Sequence, residues 1–269
     1  RNRQAYKDLM SFSSWTFLGS ISNAAMIQGN MIILNIFYGP LANAAYGIAI
    51  QINHAFTSLY NCIIMAFRPA IVKTYARNNA QRLHRLFYIS NKCLTYSIMA
   101  IAIPLITEMR WVLNVWLDNV SEATVLFSRL IIVYLFCMAM NGPITTVIQA
   151  TGKIRQYHLS VEGIILMCVP ISWFLSSQHY PQWNVLWTMI CVCIIAHGIR
   201  LVCLRRSIAM FSIRRYLLHL CIPTVLVGML ASFLCWQLHH ACSRDLWGMI
   251  LKLTIDPLMV LALALAIGT

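Results

Sequence analysis

Charged residues are scarce in this sequence, and acidic residues are the scarcest of them. Only 10% of the 269 residues are charged, whereas 60% are apolar. Soluble domains average about 25% charged and about 45–50% apolar residues. A soluble fold of this length would need many more charges to cover its surface. The composition therefore argues against a soluble enzyme and favours a protein whose surface faces lipid.

Sequence signatures of catalysis and nucleotide binding are also absent. The chain has no G-x-G-x-x-G, P-loop, H-E-x-x-H or G-x-S-x-G motif. Its seven acidic residues lie mostly between the apolar runs and offer no convincing pair of intramembrane carboxylates. We therefore predict no catalytic residues, no cofactor and no enzymatic activity.

The ten cysteines lie mostly inside apolar runs and lack Cys-x-x-Cys spacing. Cysteine behaves there as a small buried hydrophobic residue, so a disulfide framework is not expected. His239, His240 and Cys242 lie close together in the sequence, but a fourth ligand is missing. We predict no metal site.

The apolar residues are concentrated in long runs. A helix needs about 20 apolar residues to cross a bilayer, and eight runs approach or exceed that length. The sequence predicts an all-α, polytopic transmembrane bundle of about eight spans, at residues 13–38, 41–67, 87–107, 123–141, 157–177, 183–204, 217–238 and 246–267.

Most of the 20 Lys and Arg residues fall in alternate connections between these spans. The positive-inside rule places such connections in the cytoplasm. The net charge of +13 is thus interpreted as topology, and no nucleic-acid partner is predicted. The cations assigned to the cytoplasmic side are Arg1, Arg3, Lys7, Arg68, Lys73, Arg77, Arg82, Arg85, Lys92, Lys153, Arg155, Arg200, Arg205, Arg206, Arg214 and Arg215.

Polar residues inside the spans are costly in hydrocarbon, so each is expected to face a cavity or a partner. The first span contains Gln28, Asn30 and Asn35, and the second contains Asn53. These amides either line a hydrated cavity or hold helices together by hydrogen bonds. Arg129, in the fourth span, either faces a cavity or extends to the outer interface. The sequence leaves both alternatives open.

Several segments together resemble one family, the bacterial polysaccharide-transporter flippases. Their order and spacing match the family over roughly residues 1–215, and the set is more specific than any single piece. The segments are residues 35–40 (NIFYGP), 43–49 (NAAYGIA), 51–53 (QIN), 68–75 (RPAIVKTY), 114–117 (NVWL) and 149–157 (QATGKIRQY).

The resemblance implies a transporter of undecaprenyl-pyrophosphate-linked oligosaccharides in the bacterial inner membrane, serving O-antigen, capsule or exopolysaccharide assembly. This family belongs to the superfamily that includes the MATE multidrug exporters, which have two pseudo-symmetric lobes. Residues 1–215 would form the six-helix C-terminal lobe, and residues 216–269 two additional helices. The chain opens without Met and ends in an apolar run, so we expect an N-terminal lobe upstream. Polysaccharide polymerase and chain-length proteins are further expected partners, besides membrane lipids.

The resemblance and the polar positions together give one set of candidate residues for the substrate path. Two alternative functions of the protein remain open. A multidrug antiporter would need an intramembrane acid, for which Glu162 is the candidate, although an ion pair with Lys153 or Arg155 is expected there. A membrane glycosyltransferase or polymerase would need a catalytic acid or an arginine-rich outer loop. The substrate-path candidates are Gln28, Asn30, Asn35, Asn53, Arg68, Arg129, Gln149 and Lys153.

Overall fold

The computed structural model describes residues 2–117, 119–152, 154–208, 211–241 and 246–268. Helices make up nearly all of this part of the chain, and none of these residues forms a strand. The helices are α1 (Asn2–Ala76), α2 (Ala80–Thr107), α3 (Met109–Trp116), α4 (Glu122–Ala139), α5 (Gly142–Thr151), α6 (Ile154–Leu166), α7 (Cys168–Ser177), α8 (Asn184–Ser207), α9 (Ile213–Tyr216), α10 (Ile222–Ala241) and α11 (Leu246–Gly268), with a π-helical turn at Leu217–Cys221 between α9 and α10.

Six helical stretches within the described residues are long and apolar enough to cross a membrane. Their outer surfaces expose many large apolar side chains, including Phe17, Leu41 and Phe174, each more than 60% exposed. Water would penalise so much apolar exposure, whereas lipid does not. The protein is therefore membrane-embedded and all-helical. The six stretches are Ser13–Ala76, Ala80–Thr107, Glu122–Thr151, Ile154–Ser177, Asn184–Ser207 and Ile213–Gln237.

Helix α1 is a hairpin with its bend at Gly39. Gly39 has φ 83° and ψ −178°, a backbone conformation that glycine adopts far more easily than other residues. Pro40 follows, and its fixed φ suits the first position of a new helix. Residues 2–38 form the first arm and residues 40–76 the second. The two arms run back along each other. One contact that shows this is a hydrogen bond of 3.5 Å from the Tyr46 hydroxyl to the Ile27 carbonyl oxygen.

The basic stretch at residues 68–85 does not form a separate amphipathic helix, although its cations and polar residues are compatible with one. The second arm of α1 continues to Ala76, and α2 begins at Ala80. Asn78 adopts a left-handed conformation with φ 53°, which reverses the chain. The Asn79 side chain then accepts a hydrogen bond from the Arg82 backbone N–H. This cap satisfies one of the free donors at the start of α2.

Two apolar clusters join α1 to α2, α4, α5, α6, α7 and α8. A third cluster joins α10 and α11 to α2, through residues such as Met99, Val227 and Val260. The last two helices thus pack mainly against α2 and against each other. Helix α2 connects this pair to the rest of the bundle.

Candidate functional site

The hairpin exposes polar side chains along both of its arms, which we call its polar stripes. Elsewhere the exposed positions of the spans are largely apolar, as at Ile171 and Phe174 on α7 and at Met229 and Phe233 on α10. Amides and hydroxyls in contact with hydrocarbon would lose hydrogen bonds to water without replacement. These stripes therefore suit a hydrated surface or a polar partner. Their members are Ser20, Asn23, Gln28, Asn35, Gln51, His54, Ser58 and Asn61.

A small cavity lies between the two arms, α2 and α4. Its water-accessible volume is about 80 Å³, which exceeds the ~10–15 Å³ that one water requires. Asn53 is only 6% exposed, and its Oδ1 accepts a hydrogen bond of 3.0 Å from the Thr57 hydroxyl. Asn23 and Tyr60 contribute further polar atoms to the lining. The site can therefore hold ordered water or the hydroxyl of a ligand.

The predicted amides of the first arm fall into two groups. Gln28 and Asn35 are exposed, as their seven-residue spacing on one face allows. Asn30 is fully buried, and its Nδ2 lies 3.8 Å from the Cys168 Sγ of α7. The structure thus separates Asn30, which packs between helices, from Gln28 and Asn35, which face outwards.

Two of the predicted cationic and amide positions meet at the end of the second arm. The Arg68 guanidinium donates a hydrogen bond to the Gln149 Oε1 of α5 at 3.3 Å. Both residues lie beside the turn after α5, where Gly152 adopts a left-handed conformation with φ 73°. Arg68 is exposed, so its remaining donors are accessible to an anionic group. The adjacent candidate Lys153 lies outside the described residues.

Arg129 has a partner within the bundle. Its Nε donates a hydrogen bond of 3.0 Å to the carbonyl oxygen of Ile106, in the last turn of α2. The carbonyls in the last turn of a helix lack partners in that helix, and a cation is favoured there by the helix dipole. The structure thus identifies Arg129 as a cap of α2, whatever further role it has.

Substitutions of Arg129 should lower stability in the order Lys, Ala, Glu, with Glu the most damaging. Lysine keeps the charge near the carbonyl, alanine removes the donor, and glutamate places negative charge at the negative end of the dipole. Loss of a charged hydrogen bond typically costs about 1.5–3 kcal/mol. Thermal unfolding in detergent measures this, and an alanine variant as stable as the parent would contradict the capping role.

Arg200 was predicted to lie with the cations of a loop, and this prediction is wrong. It lies within α8 and is only 5% exposed. Its Nε donates to the Tyr157 hydroxyl at 3.2 Å, and that hydroxyl is 2.9 Å from the Thr145 hydroxyl. The signal was present in the sequence, because Arg200 shares a helical face with the buried residues Ala196 and Leu204.

Glu162 lies beside His158 rather than beside Arg155, and Lys153, the other expected partner, lies outside the described residues. Its Oε1 lies 3.5 Å from the Nδ1 of His158, one turn earlier on α6, and both side chains are buried. Arg155 instead lies over the ring of Trp15, with its guanidinium carbon 5.7 Å from the ring centroid. This cation–π contact, rather than an ion pair with Glu162, holds Arg155 near the first arm.

Comparisons with family models, with curated proteins and with solved structures gave no match to this chain.

Proposed function

We propose that this chain is the C-terminal lobe of a transporter that moves an undecaprenyl-pyrophosphate-linked oligosaccharide across the bacterial cytoplasmic membrane. The observation that carries the proposal is the hairpin with its polar stripes, in a bundle whose other exposed positions are largely apolar. Such a surface needs water or a polar partner inside the membrane. A cleft shared with a second, MATE-like lobe supplies both, and the segment resemblance points to the same architecture.

The proposed topology has eight spans. The two arms of α1 count as separate spans, and α11 is the eighth. The helix ends that are joined by basic connections then lie on the cytoplasmic side, where the lipid-linked substrate is made. The Arg68–Gln149 contact lies on this side as well. Fixed cations at this entrance attract the pyrophosphate group.

Transport proceeds by alternating access, in which the two lobes rock around a central site. The pyrophosphate meets Arg68 at the entrance, and the sugar hydroxyls meet the amides of Gln28, Asn35 and Asn53 farther in. Asn30 and Arg129 support this path by packing and by capping. No bond of the substrate is made or broken, so the protein is proposed as a carrier and not as an enzyme.

An antiporter of small molecules in the same superfamily is the second candidate. The buried His158–Glu162 pair favours it, because an intramembrane carboxylate is the group that couples transport to a cation. The rival would export a soluble compound and leave lipid-linked glycans unaffected.

Loss of the gene in its own bacterium distinguishes these functions. We expect lipid-linked oligosaccharide to accumulate on the cytoplasmic leaflet while surface glycan falls, and both defects to be reversed by the intact gene. Unfinished oligosaccharides would indicate a transferase or polymerase instead. Normal surface glycan with altered sensitivity to small toxic compounds would favour the antiporter.

A further inference from the structure

An apolar groove lies between the first turns of α2 and the last turn of α8, at the end of the bundle where the basic connections are. Its enclosed part has a water-accessible volume of only about 20 Å³, whereas about 330 Å³ of empty space is present when its open part is included. The groove is therefore a shallow channel that is open to the surroundings. Its apolar lining consists of Leu83, Phe87, Val147, Leu204, Ile208 and Phe211.

An aromatic contact holds a cation beside this groove. The ring of Phe211, just before α9, lies edge-on to the ring of Phe87 on α2, with centroids 5.7 Å apart. This contact attaches the start of α9 to the first turns of α2. Arg215 follows on α9 and is exposed. Its charge lies within electrostatic range of both His84 and Tyr88 on α2.

Two polar atoms on one face of α2 lie at the groove without a partner. His84 lines the groove, and the ring of Tyr88 packs on it at a centroid distance of 4.6 Å. The His84 Nε2 and the Tyr88 hydroxyl are both buried, and neither has a hydrogen-bond partner among the described residues. Proteins rarely leave buried polar atoms unpaired. Because both atoms can donate, they favour a ligand that offers hydrogen-bond acceptors.

The segments around the groove carry charge of one sign. Residues 80–88, 144–151, 201–208 and 211–216 contain six arginines and no acidic residue, and all six arginines are exposed. Such an accumulation attracts anions, and basic pockets between membrane helices bind anionic lipid headgroups. An occupant that combines an anionic group with a hydrocarbon chain therefore fits both the charge and the groove. The arginines are Arg82, Arg85, Arg205, Arg206, Arg214 and Arg215.

We propose that this groove binds an anionic phospholipid from the leaflet at the basic end of the bundle. The acyl chain lies along the apolar lining. The phosphate accepts hydrogen bonds from the Arg215 guanidinium, the Tyr88 hydroxyl and the His84 Nε2. Arginine suits this role, because it can donate two parallel hydrogen bonds to a phosphate. The bound lipid connects the segment between α8 and α10 to α2, and so stabilises the packing of the last two helices on the bundle.

The lipid site is separate from the proposed substrate entrance. Val147 lines the groove, whereas Gln149 contacts Arg68. Two residues along an α-helix point roughly 200° apart, so the groove and the Arg68 contact lie on opposite sides of α5. A lipid-linked substrate also combines phosphate with hydrocarbon, but it would meet Arg68 on the other side. The proposal therefore depends on the groove and its arginines and not on the transport function.

Native mass spectrometry of the purified full-length protein in detergent, titrated with phosphatidylglycerol, tests the proposal. We expect the parent to bind phosphatidylglycerol at least about tenfold more tightly than phosphatidylcholine with the same acyl chains, because the arginines repel the choline cation. Arg215→Met should lose this preference. Arg68→Met is the matched control, since it removes an exposed arginine at the same end of the bundle but on the other side of α5, and it should keep the preference.

Tyr88→Phe provides a readout that a purely structural role would not move, and it keeps the test valid if Arg215→Met fails to fold. It removes only a hydroxyl that has no partner among the described residues. Without added lipid, the midpoint of thermal unfolding should therefore be unchanged or higher than in the parent. The affinity for phosphatidylglycerol should nevertheless fall about three- to tenfold, because one hydrogen bond to the phosphate is lost.

Three results would overturn the proposal. The first is equal binding of phosphatidylglycerol and phosphatidylcholine by the folded parent. The second is a loss of phosphatidylglycerol binding in Arg68→Met that equals the loss in Arg215→Met, or unchanged binding in both Arg215→Met and Tyr88→Phe. The third is tighter, Arg215-dependent binding of undecaprenyl phosphate than of phosphatidylglycerol, which would make the groove a substrate site.

Discussion

Replacing Arg68 by glutamate should reduce glycan export at least about tenfold without reducing the amount of protein in the membrane. Arg68 is exposed and contacts Gln149 through one guanidinium nitrogen, so other donors remain for a phosphate. A charged hydrogen bond is worth about 1.5–3 kcal/mol, and about 1.4 kcal/mol already corresponds to tenfold. Glutamate also repels the pyrophosphate, which adds to this loss. The measurement is surface glycan in cells whose own gene is deleted.

Two control variants test whether the effect is specific to the guanidinium group at position 68. Arg68→Lys should retain part of the activity, because lysine keeps the charge but cannot form two parallel hydrogen bonds to a phosphate. Arg77→Glu reverses another exposed cation beyond the end of the same helix and should have a smaller effect. If Arg68→Glu and Arg77→Glu reduce glycan export equally, Arg68 contributes only to the overall positive charge of this surface. Normal export by Arg68→Glu would refute its assignment to the entrance.

Cysteines placed at Gln28 and Asn35 should react with a small, charged, membrane-impermeant thiol reagent at least about tenfold faster than a cysteine at Ile33. Ile33 lies on the same arm but is only 1% exposed. The physical reason is that charged reagents react in water and do not enter hydrocarbon. The native cysteines must first be replaced, and the rates are then measured in membranes opened to the reagent from both sides.

Exposed apolar positions are the decisive control, because they separate contact with water from contact with lipid. Phe174 is 62% exposed and Met229 is 58% exposed, yet cysteines there should react as slowly as at Ile33. Cysteines at Arg77 and Trp116 mark the two proposed sides in intact cells, where only the latter should react. Slow reaction at Gln28 and Asn35 would mean that the polar stripes pack against protein. Reaction of both markers from one face would overturn the topology.

The hairpin illustrates how much a local pattern can predict. The segment NIFYGP contains both Gly39, which permits the bend, and Pro40, which starts the second arm, so the break between residues 38 and 41 was predictable. The end of the second arm was not. A cluster of cations and polar residues at 68–85 is compatible with a separate helix, a loop or a continuation. The turn at Asn78 and the cap at Asn79 depend on backbone conformations that the composition of the segment does not specify.

Arg129 and Arg200 mark the limit of such reasoning for single residues. The cost of a cation inside a span predicts that it has a partner, but the partner lies elsewhere in the chain. Arg129 reaches the Ile106 carbonyl, and Arg200 reaches Tyr157. In both cases the two partners lie on different helices and are far apart in the sequence, so helical periodicity does not predict either contact.

The sequence by itself determined that this protein is helical and membrane-embedded, because the length and apolarity of its runs are properties of each segment alone. It also located the polar amides of the hairpin, since a seven-residue spacing repeats on one helical face. Only the tertiary structure decided which polar groups are paired. Glu108 and Lys252 meet at 3.8 Å, although they are far apart in the chain, because α11 packs against α2. Helix packing follows the fit of whole surfaces, and that fit brings charges together that no single segment specifies.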